Sequence, residues 1–160
     1  MGKINQMWRR GWLPKTITML LTVILYFSFI SAPNAAASLI NEPATVVKVS
    51  LSNTENELKF FPNEIKFVVD HPYKLILSNP SSLKHYFTAK DFADAIWTSK
   101  VESDKVEVKG AIREVELRPG AELEWVFVPL KVGTYSLRCP IAGHTEAGMV
   151  GQITISANVE

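Results

Sequence analysis

The sequence predicts an all-β chain, a Greek-key β-sandwich or barrel with a short helical insertion, on three observations. Apolar residues alternate with polar ones instead of recurring at the helical period, as they do in strands with one buried face. The alternating runs are short and are broken by turns rich in Pro, Gly, Asn and Ser. About seven or eight such runs follow one another along the chain, the spacing of a sandwich or Greek-key barrel.

Taken in order, Val47, Val49 and Leu51 share the first face, and Ile65, Phe67 and Val69 the next, with Glu64 and Lys66 pointing away. Leu75 and Leu77 follow, then Val115 and Leu117 against Glu114 and Glu116. Leu123, Trp125 and Phe127 alternate with Glu122 and Glu124, and Tyr135, Leu137 and Cys139 with Thr134, Ser136 and Arg138. Ile153 and Ile155 close the chain opposite Gln152 and Thr154. Phe61-Pro62-Asn63, Asp70-His71-Pro72, Asn79-Pro80-Ser81-Ser82 and Arg118-Pro119-Gly120 supply the turns between these strands. One segment breaks the alternation. Thr88-Ala89-Lys90-Asp91 has the form of a helix start, after which Phe92, Ala93, Ile96 and Trp97 would share a helical face. This predicts a helical insertion of about ten residues within 88–99, covering an open end of the barrel.

The first forty residues differ from the rest. Lys3, Arg9, Arg10 and Lys15 are basic, and the first acidic residue is Glu42. An apolar run from Ile17 to Ile30 leads into Ser31-Ala32-Pro33-Asn34-Ala35-Ala36-Ala37, the three-part pattern of a secretory signal peptide. A retained anchor is the rival, but the run has about fourteen residues where a spanning helix needs roughly twenty. Residues 1–37 are therefore expected to be a cleaved signal peptide, and residues 38–160 one domain. Arg9-Arg10-Gly11-Trp12-Leu13-Pro14-Lys15 resembles a twin-arginine signal, while the strongly apolar stretch after it suits the ordinary Sec route, so both routes stay open. The expected location is the periplasm or another extracytoplasmic space, a thylakoid lumen included. The mature chain would carry thirteen basic and sixteen acidic residues, a net charge near −3. So mild a balance argues against nucleic acid or an anionic membrane as partner.

A single cysteine in an exported chain cannot form an internal disulfide, leaving an intermolecular bridge, a reactive thiol, a buried apolar residue or a metal ligand. Its surroundings decide. Cys139 has the core parity of its strand, Pro140 ends that strand, and His144 and Met149 follow at intervals of four intervening residues. Thiolate, imidazole and thioether thus converge within eleven residues on a strand–loop–strand. Two histidines and a cysteine with a weak axial methionine make a blue-copper site, so a second histidine must come from elsewhere. The chain has two others. His85 follows the strand around Leu75 and Leu77 and the Asn79-Pro80 turn, whereas His71 precedes that strand and falls at the opposite end. The expected metal residues are therefore His85, Cys139, His144 and Met149, and the expected cofactor is one copper ion. The 88–99 insertion could then also shield that ion from water.

The segment Gly133-Thr134-Tyr135, Cys139, His144, Gly148-Met149-Val150-Gly151 and Ile153 resembles the C-terminal copper loop of plastocyanin and its cupredoxin relatives. The Cys-x4-His-x4-Met spacing is longer than plastocyanin's and more similar to rusticyanin's. Phe60-Phe61-Pro62 before Ile65 resembles the family's early strand, and Asn79 six residues ahead of His85 resembles the asparagine before its first copper histidine. The resemblance runs from about Phe61 to Ile155, strong at the end and looser in the middle. It implies a type 1 copper with His85, Cys139 and His144 equatorial and Met149 axial. It further implies one-electron transfer by a monomer through the edge of His144, framed by Ile141, Ala142 and Ala147, to transient redox partners. Tyr86 departs from the pattern, since plastocyanin and azurin carry asparagine there to tie the two ligand loops.

The resemblance argues against an enzyme. A multicopper oxidase or copper nitrite reductase needs further histidines, and a binuclear oxidase-type copper site a second cysteine. The competing function is extracytoplasmic copper storage, delivery or sensing, with Glu146 modifying the site.

Overall fold

In the computed structural model, residues 43–104, 106–108 and 110–157 are described. The predicted signal peptide and its cleavage point after Ala37 lie outside them. Among the described residues, eleven strands and one helical turn follow in the order β1 (Thr45–Leu51), β2 (Phe60–Phe61), β3 (Glu64–Val68), β4 (Tyr73–Ser78), β5 (His85–Thr88), α1 (Lys90–Ala93), β6 (Ile96–Ser103), β7 (Val106–Val108), β8 (Glu114–Leu117), β9 (Glu122–Pro129), β10 (Gly133–Arg138) and β11 (Val150–Ser156). They form two facing sheets, ordered β2-β1-β4-β9-β6-β7 and β3-β11-β10-β5-β8. This is the expected all-β Greek-key sandwich.

The alternation in the sequence is what places the core. Tyr73, Leu75 and Leu77 of β4, Trp125 and Phe127 of β9, and Val49 and Leu51 of β1 are buried from one sheet. Ile65 and Phe67 of β3, Phe87 of β5, Leu137 of β10, and Ile153 and Ile155 of β11 meet them from the other. Register follows from this parity, because a slip of one residue would turn every core side chain to solvent. β1 pairs in parallel with β4, and β3 with β11, whereas β4–β9 and β10–β11 are antiparallel. The four predicted turns all fall at strand junctions, Phe61 of the first being the last residue of β2.

The helical insertion is shorter than the sequence suggested. α1 covers only Lys90–Ala93, with Ala89 as its N-cap and no side-chain capping bond. Thr88 belongs to β5, and its hydroxyl donates to Glu114 Oε2 at 2.9 Å instead of capping. From Ile96 the chain is a strand, paired with β9 from Ile96↔Pro129 to Glu102↔Glu124 with a register shift near Thr98–Lys100. Trp97, expected on the helix's inner face, therefore points outward and is 46% exposed. Ladder bonds to β9, offered to a segment rich in β-branched residues, outweigh a weak helical pattern.

α1 does serve the core. Phe92 is fully buried, stacks on Phe67 (ring centroids 5.7 Å apart) and meets Phe127, Trp125 and Tyr135 edge-on. Tyr73 and Tyr135 mark the end where β4 and β10 begin, whereas His85 and Cys139 lie beyond the last residues of β4 and β10. The turn thus closes the core at the end away from the candidate ligands, as the covering role predicted, and does not shield them.

Candidate metal centre

Three sequence-predicted residues are brought together by parity. His85 opens β5 on the core-facing side, two residues before Phe87, and is fully buried. Cys139 continues the inward parity of Leu137 beyond the end of β10 and is also fully buried. The loop after Pro140 then returns His144, whose ring is partly exposed. One ligand atom from each of His85, Cys139 and His144 lies within 4.8 Å of the others. Cys139 Sγ stands 3.5 Å from His144 Nδ1, and the two imidazole centroids are 5.2 Å apart.

The loop braces itself. Cys139 N–H donates to the Met149 carbonyl (3.1 Å), Met149 N–H to the His144 carbonyl (2.9 Å), and His144 N–H to the Ile141 carbonyl (3.0 Å). Thr145 Oγ1 donates to the Cys139 carbonyl at 2.8 Å. Gly143 and Gly148 have φ of +83° and +102°, so the residue before each loop donor occupies backbone space that side chains disfavour. Met149, the fourth expected residue, is fully buried between these turns and the core.

His71, the histidine set aside from sequence, lies elsewhere. Its Nε2 is 2.9 Å from Thr45 Oγ1, and its ring packs edge-on against Tyr73. Glu146 is exposed and does not join the cluster.

A buried polar network fixes His85. Asn79 Nδ2 donates to the carbonyls of Leu83 (2.7 Å) and Leu117 (2.9 Å), so its Oδ1 is an acceptor, taken by Ser81 N–H (3.1 Å) and Ser81 Oγ–H (2.7 Å). With its one proton taken by Asn79 Oδ1 or by the Leu83 carbonyl (3.0 Å), Ser81 Oγ accepts from His85 Nε2–H at 3.1 Å. That selects the tautomer whose Nδ1 bears a lone pair. Nδ1 is the one buried side-chain nitrogen or oxygen without a partner among the described residues. An orphaned buried acceptor is costly in a folded protein unless something occupies it. Burial, and then the proximity of His144, hold the His85 pKa below its ordinary value, which keeps that lone pair free.

On the far side of Cys139, Tyr86 N–H donates to Sγ at 3.4 Å. The loop tie expected from an asparagine side chain is thus made by the main chain at Tyr86. The Tyr86 hydroxyl in turn donates to Glu116, which also meets Lys84 Nζ (3.3 Å) and Arg118 Nε (3.5 Å). Hydrogen bonds from Tyr86 and then Lys84 hold the Glu116 carboxyl below the usual carboxylate range. Sequence reasoning missed Ser81 and Glu116. Asn79-x-Ser81 beside a proline was the one readable sign of the first, and Glu116 looked like any outward strand residue.

A thiolate and two imidazoles with an orphaned Nδ1 fit a copper ion, which favours such soft and borderline donors. The comparisons agree. Residues 97–160 match the family model of the sulfocyanin (SoxE) domain, which takes in Cys139, His144 and Met149 and leaves out His85. No curated protein matches the sequence. Among solved structures, the fold is similar to auracyanin A, a "blue" copper protein of Chloroflexus aurantiacus (18% identity, TM-score 0.50, 71% of this chain and 100% of that one). It is similar to the auracyanin of Roseiflexus castenholzii (16%, TM-score 0.50, 72% and 99%). A copper-containing nitrite reductase of Thermus scotoductus is also similar (12%, TM-score 0.56), with 82% of this chain matching 35% of that one.

Two facing sheets with a His-Cys-His cluster at one end form a site suited to a single copper ion. The cupredoxin resemblance of the copper loop thus agrees with a sulfocyanin-domain match over residues 97–160 and with a fold similar to the auracyanins'.

Proposed function

We propose that the protein is an exported one-electron carrier in which His85 Nδ1, Cys139 Sγ, His144 Nδ1 and Met149 would hold one copper ion. The observation that carries this is the orphaned Nδ1 of a fully buried His85 within the cluster of Cys139 and His144. Copper, when bound, supplies the one-electron couple between its cupric and cuprous forms. The chain does the rest. Ser81 and Asn79 fix the tautomer and ring of His85, and the braced loop fixes Cys139 and His144. Donors that cannot relax toward the preference of either oxidation state keep reorganisation small. Burial of His85, Cys139 and Met149 excludes water from one side of the site.

The partly exposed His144 gives electrons a short way out. Ile141, Ala142 and Ala147 beside it would form a small apolar patch for transient redox partners, met by a monomer. The signal-like N-terminus supports an extracytoplasmic location, and no helix among the described residues is long and apolar enough to cross a membrane. A second copper centre would need ligands that a chain with three histidines and one cysteine does not have, which favours a carrier over an enzyme.

The test is the copper-loaded mature protein. It should absorb strongly in the visible through the thiolate-to-copper transition, titrate reversibly by one electron, and lose the band in Cys139→Ser. A colourless adduct, or a band that survives Cys139→Ser, overturns the reading. Tight cuprous binding without a reversible potential would point to copper storage or delivery instead.

A further inference from the structure

β5 carries His85 and Tyr86 between two unlike neighbours. Toward β8 it is paired along its whole length, His85↔Leu117 to Thr88↔Glu114. Toward β10 the register contains only Arg138↔Thr88. Nearer the metal centre, then, β5 is held on the β10 side by the Tyr86 N–H bond to Cys139 Sγ. Across β5 from that bond lies the edge of the sheet. β8 is the last strand of its sheet, and Glu116 on it is the register partner of Tyr86. The half-buried Tyr86 side chain, on the strand face opposite His85 and Phe87, donates to this carboxylate, which Lys84 and Arg118 also meet. The Lys84 ammonium also lies 5.8 Å from the Tyr86 ring centroid.

We propose that Tyr86 is a positioning residue of the metal centre: anchored on Glu116, it keeps its own amide on the Cys139 sulfur and so biases bound copper toward the cuprous form. The proposal rests on the copper reading above. An N–H donated to a thiolate draws negative charge from the sulfur. The cupric ion leans on that charge more than the cuprous ion does, so the bond favours reduction. Hydrogen bonds to a ligand tune a metal in this way without touching it.

Two accounts of the pair differ in sign. If Glu116 acts only as a nearby negative charge, removing it destabilises the cupric form and raises the potential. If the pair holds the amide in place, removing either member weakens the N–H···S bond and lowers the potential. The experiment compares wild type, Tyr86→Phe, Glu116→Ala and Glu116→Gln. It reads the midpoint potential of the copper-loaded proteins and the hydrogen-exchange rate of the residue 86 amide in the metal-free ones.

Tyr86→Phe and Glu116→Ala should each shift the cuprous-over-cupric preference down by about tenfold, about 59 mV for one electron. Both should also speed exchange of the amide. Glu116→Gln, which keeps the acceptor, should stay near wild type. An unchanged potential in Tyr86→Phe, or a raised one in Glu116→Ala, overturns the proposal. If wild type forms no coloured adduct, it is the electron-carrier reading that fails. Unaltered amide exchange in metal-free Tyr86→Phe would then overturn the clamp by itself.

Discussion

Ser81 offers His85 a single hydroxyl oxygen whose proton is claimed by Asn79 Oδ1 and the Leu83 carbonyl, so the imidazole donates to it from Nε2. Replacing Ser81 by Ala removes the acceptor and buries an unpaired N–H, a cost of about 1–3 kcal/mol in whichever state keeps that tautomer. The ring can escape the cost by moving its proton to Nδ1, where it blocks the unpartnered atom proposed to hold copper. Copper affinity in Ser81→Ala should therefore fall by about 10–100-fold, as read by competition with a cuprous chelator, and Ser81→Thr should restore most of it. An affinity equal to wild type in Ser81→Ala would show that the hydroxyl does not select the tautomer.

At the scale of elements, the helical turn and the copper loop show two kinds of legibility. The loop could be read because its information is local. Cys139, His144 and Met149 are spaced within one strand–loop–strand, and the parity of β10 fixes which way the cysteine points. The placement of His85 needed topology, since strand ends alternate between the two ends of the sandwich and His71 falls at the wrong one. The extent of α1 was not readable. Four residues of helix and the strand after it share an apolar pattern, and only pairing with β9, many residues distant, separates them. The polar support around His85 and Tyr86 escaped for the same reason, because Asn79 bonds Leu117 across 38 residues and Tyr86 bonds Glu116 across 30. What the short helix retains is one core side chain. Phe92→Ala should cost about 3–5 kcal/mol, measured by denaturant unfolding. The loss should appear fully in the metal-free protein while the visible band of the copper-loaded protein keeps its position, because Phe92 packs at the end away from the ligands. A shifted band would mean that the two ends of the core are coupled.

For the whole molecule, the buried His85 links folding to acidity. Burial and the neighbouring His144 lower its pKa in the folded chain, while the unfolded chain retains the ordinary value of 6.5. Above that value neither state holds the proton and His85 contributes nothing to pH dependence. Between 6.5 and the lowered folded value the unfolded chain binds a proton that the folded chain refuses, so stability falls as pH falls. Below the folded value both states hold it and the loss becomes constant. Metal-free protein should thus show a stability decrease that begins as pH drops through about 6.5, and His85→Gln should remove that step. Copper reverses the balance of interests at the same atom. An ion on Nδ1 excludes the proton, so the loaded protein should hold its stability to lower pH and then lose metal and structure together as the ligands protonate. Thermal unfolding of metal-free and copper-loaded protein across pH 4 to 8 separates the two curves, with about that range chosen to bracket histidine titration. If the two curves run parallel through the histidine range, the lone pair of His85 is not where the copper sits.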